Sequence, residues 1–140
     1  LVLLLALALP AHVGAKDFGT MPISKSEVLS VYDGDTLFIT LKDCPPVLCE
    51  RVGIRINGID TPEMRGKCPA EKALARKAKY LVSSAIQNGS VIELRHTSDE
   101  DKYGRILAEL FVDGISVGDE MISRGLARPY DGGKKSSWCN

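Results

Sequence analysis

The sequence predicts a mainly β domain carrying helices, of the α+β class. Three observations predict it. Short β-branched stretches are bounded by Asp-Gly pairs, one long amphipathic stretch is opened by a proline and closed by Asn-Gly, and the order of these stretches suits a barrel. Val28–Val31 and Thr36–Leu41 are β-branched and apolar, and Asp33-Gly34 between them is a strong tight-turn signal. Arg51–Ile59 alternates, with Val52, Ile54 and Ile56 on one face and Arg51, Arg55 and Asn57 on the other. That pattern is a half-buried strand, and it aims Arg55 away from the core. Pro69–Asn88 reads as a helix. Pro69 suits the first turn, Leu74, Ala78, Leu81, Val82 and Ala85 form an apolar face, and Asn88-Gly89 stops it. Ser90–His96 and Ile106–Val112 are further strands, the second ending at Asp113-Gly114. Ser116–Arg124 is a short helix: Ser116 and Asp119 form a capping-box pattern, Val117 and Met121 face the core, and Gly125 ends it. Three strands, a helix, two strands and a short helix pack most economically as a barrel with a helix over one end. This is a five-stranded OB-fold with a helix after the third strand and a short C-terminal helix. The tail Pro129–Asn140 is polar and glycine-bearing, and is expected to stay loose unless tied down.

A chain of 140 residues suits one domain. Lys and Arg together number 18, as do Asp and Glu, so no global basic field advertises a nucleic-acid partner. The local distribution is less even. Arg65, Lys67, Lys72, Arg76, Lys77 and Lys79 stand against Glu71 alone, and Arg124, Arg128, Lys134 and Lys135 against Asp131, while Lys16–Glu50 is net acidic. Basic flanks around an acidic pocket would suit a polyanion, although charge runs by themselves are ordinarily solvated faces.

Residues 1–15, LVLLLALALPAHVGA, are apolar and too short to span a bilayer comfortably. Val13 and Ala15 occupy the small positions expected before a signal-peptidase cut. The expectation is a signal peptide truncated at its start, followed by a single domain over residues 16–140. The mature protein is then secreted or periplasmic, without stable membrane association. Cys44, Cys49, Cys68 and Cys139 are an even count in an exported small domain, which reads as disulfides with three possible connectivities. A zinc site is the rival reading, but there is no CxxC and His96 is the only histidine after residue 15. Cys44 and Cys49 flank a hairpin tip centred near Val47, so a cross-strand bond between them is geometrically plausible. Cys68 and Cys139 would then pair and pin the tail to the barrel.

Asp33–Thr36, Arg55, Asp60–Glu63 and Asp101–Arg105 carry the chemistry. With the hairpin centred near Val47, Asp35 faces Asp60 across an antiparallel pair. Two like charges at that distance are best tolerated with a cation between them. Calcium accepts carboxylate and carbonyl oxygens in flexible geometry, so Asp35, Asp60 and the Thr61 carbonyl would form a site, with Asp33 supporting it from behind. Arg55 and Arg105 carry guanidinium groups, which bind phosphate bidentately and hold the extra negative charge of a phosphoryl transition state. Glu63, past the stiff Pro62, is placed to accept a proton from an attacking water or to orient it. Each motif alone has an ordinary structural explanation: turn residues, a surface ion pair, a solvated glutamate.

Taken in order, YDGDT, RINGIDTPE, a basic helix opening, DKYGR and GLA resemble the staphylococcal nuclease (thermonuclease) family, over roughly Glu27–Tyr130. The resemblance implies an OB-fold and a calcium-dependent nuclease that cuts DNA and RNA, leaving 3′-phosphates and 5′-hydroxyls. It implies Asp35, Asp60 and Thr61 as calcium ligands, Arg55 and Arg105 as phosphate clamps and Glu63 as the base. It also implies Lys102 and Tyr103 at a substrate phosphate, and Tyr130 near a nucleotide base. The loop Lys42–Glu50, with its two cysteines, departs from the best-known member. A monomer acting on DNA and RNA is expected. The alternative, from a different class, is a nuclease-like OB module that binds nucleic acid or protein without cutting. Such degenerate modules usually lose a metal carboxylate or an arginine, and this sequence carries all of them.

Overall fold

The two Asp-Gly pairs turn the chain in different ways. At Asp113-Gly114 both residues are left-handed, with φ of 52° and 79°, as a two-residue hairpin turn requires. At the first pair the turn residues are Gly34 and Asp35, between the paired Asp33 and Thr36. Here glycine answers a demand for space: a Cβ on Gly34 would lie 2.8 Å from Ala78 Cβ and 2.9 Å from Thr61 Cγ2. The turn thus packs against a helix and against the loop that follows Asp60.

The computed structural model describes residues 16–140; the expected signal peptide, residues 1–15, lies outside them. In chain order the elements are β1 (Met21–Ile23), β2 (Val28–Asp33), β3 (Thr36–Ile39), α1 (Pro46–Cys49), β4 (Val52–Ile56), β5 (Ile59–Asp60), α2 (Pro69–Asn88), β6 (Ile92–Glu100), β7 (Ile106–Val112), β8 (Ile115–Ser116), α3 (Val117–Ser123) and β9 (Arg128–Pro129). The main sheet runs β1-β6-β7-β4-β3-β2, with β8 on β7, and β5 pairs β9 separately. Neighbours are antiparallel except β4 and β7, which run parallel with Ile54 opposite Ile106. Five long strands in this order, one parallel pair among them, make a curled, partly open barrel of the OB type. The fold class is the expected one. Among the described residues, no helix is long and apolar enough to cross a membrane.

The strand expected over Arg51–Ile59 is shorter. It breaks at Asn57-Gly58, and Ile59–Asp60 forms a separate strand that pairs with the tail. The register of the β3–β4 hairpin also differs. Thr36 lies opposite Arg55, so Asp35 faces Ile56, whose N–H donates to the Asp35 carbonyl at 2.8 Å. Asp35 does not face Asp60 across the ladder. The tip accounts for the shift, because Pro46–Cys49 winds into one helical turn rather than continuing the strands. Both expected disulfides are present, Cys44–Cys49 and Cys68–Cys139, with Cα separations of 5.9 and 6.0 Å.

The core lies between the sheet and two helices. Leu37, Ile39, Ile54, Ile56, Leu94 and Leu110 point inward from the strands. Ala78, Val82 and Ile86 of α2 cover them, with Val117 and Met121 of α3. The buried face of α2 is rotated from the expected one: Ala75 and Ile86 are buried, while Leu74, Leu81 and Ala85 are only partly so. Small Ala75 and Ala78 let the helix approach closely, and α2 thereby seats against the Gly34 turn. At the far end Asp113 Oδ1 accepts from Ser90 N at 2.9 Å and Val91 N at 2.8 Å, joining the start of β6 to the β7–β8 turn.

Candidate active site

β3, β4, β7 and the short β5 deliver the polar residues to one end of the barrel. Asp35 closes the β2–β3 turn. Its Oδ2 accepts from Thr61 N at 3.2 Å and lies 3.2 Å from Arg55 Nη2, and its Oδ1 accepts from Thr36 Oγ1 at 3.1 Å. Asp35 and Asp60 are therefore joined by the Thr61 backbone rather than by strand pairing. Arg55 leaves β4 on the side away from the apolar core, as its alternation predicts. It is nonetheless buried, at 8% exposure, because the Asn57-Gly58 turn folds back over it. Its Nη1 donates to the Ile56 carbonyl and its Nη2 to the Ile59 carbonyl at 2.8 Å.

Arg105, just before β7, donates through Nη1 to Thr36 Oγ1 at 3.2 Å. Asp101 anchors it, with Oδ2 at 2.8 Å from Nε and 2.6 Å from Nη2. A continuous chain of contacts thus runs Arg105–Thr36–Asp35–Arg55. The two arginines share one cleft with Lys102, Tyr103 and Tyr130. Tyr103 is 70% exposed there, with the Arg105 guanidinium 5.2 Å from its ring centre. Tyr130 N–H donates to the Gly58 carbonyl at 2.9 Å, which fixes its register beside the arginines.

A second cleft, next to the first, is lined by Asp60, Thr61, Glu63 and Glu71 with tail residues including Lys135 and Trp138. Buried Glu71 supports its wall, accepting from Lys67 N at 2.9 Å and Glu63 N at 3.3 Å. The Glu63 side chain itself is 52% exposed and faces this cleft. Its pKa is raised, first by partial burial and then by the Asp35 charge, with Asp60 and Glu71 adding to it against Lys135. Asp33, buried behind Asp35, accepts from Asp35 N at 3.2 Å. Burial and then the Asp35 charge push its pKa up to about 7.

The site thus holds more carboxyl groups, Asp33, Asp35, Asp60, Glu63 and Glu71, than the two cations paired with them, Arg55 and Lys135. Two observations test its fit to a hard cation. Asp60 Oδ1 has no hydrogen-bond donor except the ammonium of Lys135, 2.7 Å away, and the buried Thr61 Oγ1 has no partner among the described residues. The side chains of Asp35, Asp60 and Thr61 offer only oxygen ligands, which suit a hard cation and not a soft metal. Asp35, Asp60 and Thr61 fit such an ion, with Asp33 behind them.

Lys135, Trp138 and Glu71 belong to the site, yet the motifs do not mark them, and Thr36 lies in the DGDT motif with no role assigned to it by the sequence. Trp138 Nε1 donates to Asp60 Oδ2 at 3.1 Å. The signal for both tail residues is indirect: Cys139, bonded to Cys68 at the opening of α2, forces the tail across the site. Glu71 is signalled only as the one acid amid the basic opening of α2.

A family model described as "Staphylococcal nuclease homologue" matches residues 53–137. An uncharacterized protein of Bacillus anthracis is 29% identical over 127 residues, covering 81% of this chain and 56% of that protein. The SPbeta prophage-derived endonuclease YokF of Bacillus subtilis is 34% identical over 100 residues, covering 69% of this chain and 31% of that protein. The probable staphylococcal-like nuclease CAN1 of rice, Oryza sativa, is 31% identical over 84 residues, covering 60% and 23%. The chain spans about half the length of these relatives, or less.

Proposed function

The chain belongs to the staphylococcal nuclease family, and on that premise we propose that it is a hydrolase, a calcium-dependent nuclease acting on DNA and RNA. It leaves 3′-phosphate and 5′-hydroxyl ends, works as a monomer, and is exported to the periplasm or the medium. The observation that carries this reading is the unbroken contact chain from Arg105 through Thr36 and Asp35 to Arg55, beside the oxygen-only pocket of Asp60 and Thr61. It joins phosphate-binding cations to metal-binding carboxylates in one rigid unit.

When bound at Asp35, Asp60 and Thr61, calcium supplies a Lewis acid that neutralises a phosphoryl oxygen. The chain's own residues do the rest. Arg55 and Arg105 hold the phosphoryl oxygens and stabilise the charge that builds on them during attack. Both are fixed in advance by carbonyl or carboxylate partners, so little reorganisation is needed at the moment of reaction. Glu63, exposed to solvent and raised in pKa, takes a proton from water as its oxygen attacks phosphorus. The bond from phosphorus to the 5′ oxygen breaks, and that oxygen picks up a proton from solvent. Lys102, Tyr103 and Tyr130 line the same cleft and hold the flanking phosphate and base.

The test is incubation of the purified protein with single-stranded DNA and with RNA, in calcium and in chelator, with the ends typed by phosphatase and kinase labelling. Calcium-dependent cutting to 3′-phosphates is the expected result. Retention of nucleic acid without cutting under any of these conditions would mark the protein as a binding module instead.

A further inference from the structure

The tail makes contacts that the nuclease reading does not use. Lys135 Nζ lies 2.7 Å from Asp60 Oδ1 and 3.8 Å from Glu63 Oε1, in the middle of the carboxylate cleft. Trp138 Nε1 holds the other Asp60 oxygen at 3.1 Å, so tail residues occupy both oxygens of that carboxylate. The segment is held firmly at one end. Cys139 is bonded to Cys68, Arg128 Nη1 donates to the Ser137 carbonyl at 2.9 Å, and the Arg128 guanidinium lies 3.8 Å from the Trp138 ring centre. At its other end stand Gly132 and Gly133, with φ of 106° and 85°, and both are exposed. Two left-handed glycines, a cation on Asp60 and a covalent anchor follow one another within a few residues, and the Tyr130 hydroxyl donates to the Gly133 carbonyl at 2.8 Å. The side chain of Lys135 is still 42% exposed, so the plug is reachable from solvent and is no part of the core.

We propose that residues 134–138 form an internal strap in which the Lys135 ammonium holds the place of a cation on Asp60, so that calcium enters only by displacing it. The proposal rests on the calcium site of the proposed function and adds a regulator to it. Seated 2.7 Å from Asp60 Oδ1, the Lys135 ammonium repels a metal ion approaching the same oxygen, so strap and metal oppose each other. Cys139 keeps the displaced strap close by, at high effective concentration, so it reseats when the metal leaves. The apparent dissociation constant for calcium is then the intrinsic one divided by the fraction of molecules whose plug is out, so removing the plug tightens binding.

Trp138 is the only tryptophan of the chain, which gives a reporter needing neither substrate nor turnover. Calcium is titrated into the whole protein and into Lys135→Met, by calorimetry and by tryptophan emission. In the wild type, calcium is expected to change the emission as Trp138 leaves Asp60. Lys135→Met is expected to bind calcium at least about tenfold more tightly. A second variant, Trp138→Phe, loses only the other contact to Asp60 and is expected to shift the calorimetric affinity in the same direction by less. Equal or weaker calcium binding in Lys135→Met than in the wild type would overturn the strap. If the wild type still cuts DNA with calcium in that case, the nuclease reading stands. If neither protein binds calcium, the nuclease reading falls and the strap falls with it.

Discussion

Asp101 holds Arg105 by a forked contact, with one carboxylate oxygen 2.8 Å from Nε and 2.6 Å from Nη2. The same carboxylate also accepts from the backbone N–H groups of Tyr103 and Arg105, so the loop and the guanidinium are set by one group. Arg105→Ala is expected to lower kcat by about a hundredfold or more, the scale for losing a preorganised transition-state charge. Asp101→Asn, which keeps the shape and loses the charge, is expected to lower kcat by roughly tenfold through misplaced Arg105. Steady-state kinetics on one oligonucleotide checks both.

Arg55 differs from Arg105 in being buried, with the Asp35 carboxylate as its ionic partner. Arg55→Ala should therefore damage folding as well as turnover. Stranding Asp35 is expected to cost about 3–5 kcal/mol of stability without metal, since a buried charge loses its partner. Calcium is expected to restore part of that, and not the turnover. Arg55→Lys should keep more stability than alanine without recovering the wild-type rate, because the fork is lost. Melts with and without calcium, read beside the kinetics, separate the two effects.

The pocket offers oxygen donors and no free thiol, since all four cysteines are in disulfides. Calcium is expected to activate, zinc to fail as a substitute, and thorough chelation to abolish cutting. Asp60→Asn is expected to remove calcium binding measured by calorimetry. Full activity in chelator would sink this expectation.

The two disulfides should differ in what they hold. Cys68–Cys139 closes a sequence separation of 71 and Cys44–Cys49 one of 5. Chain entropy assigns about 4 kcal/mol to the long loop and about 2 kcal/mol to the short one. Cys68→Ser with Cys139→Ser should therefore lower Tm more than Cys44→Ser with Cys49→Ser. Calorimetric melts of the two double variants decide the order.

Asp113 gives a pH dependence remote from the site. The N–H groups of Val91 and Ser90 stabilise its carboxylate and lower its pKa. In the unfolded chain it takes up a proton near the ordinary value of about 3.9. Its contribution to stability is thus present above that value and is lost as pH falls through the lower folded pKa. Asp113→Asn tolerates the same left-handed φ and removes the charge. The stability gap between wild type and variant should narrow as pH drops below about 4, measured by urea melts at several pH values.

Much of the frame is legible in the residues. The strand Ile106–Val112 and the helix Pro69–Asn88 fall where periodicity and stop signals put them, because these are long segments with one consistent pattern. The hairpin register is not legible. A single helical turn at Pro46–Cys49 shifts the pairing, and the local sequence reads equally well as a plain loop. The alternation around Arg55 gives its direction but not its burial, since what covers it is the turn after β4 and the β5–β9 pair. Lys135 and Trp138 have no motif of their own, and only the long-range bond at Cys139 brings them to Asp60.

The parallel pairing of β4 with β7 joins Arg55 and Arg105 across a stretch of chain that holds all of α2 and β6. Nothing local brings these two arginines together, so their meeting carries the entropic cost of closing that long loop. A nascent chain emerging in order has Asp35 and Arg55 before it has Arg105. On the proposed function, the paired arginines are therefore assembled only once the later strands are in place. A fragment lacking β7 has no β4–β7 pairing to seat Arg105 beside Arg55, and on the proposed function it is expected to be inactive.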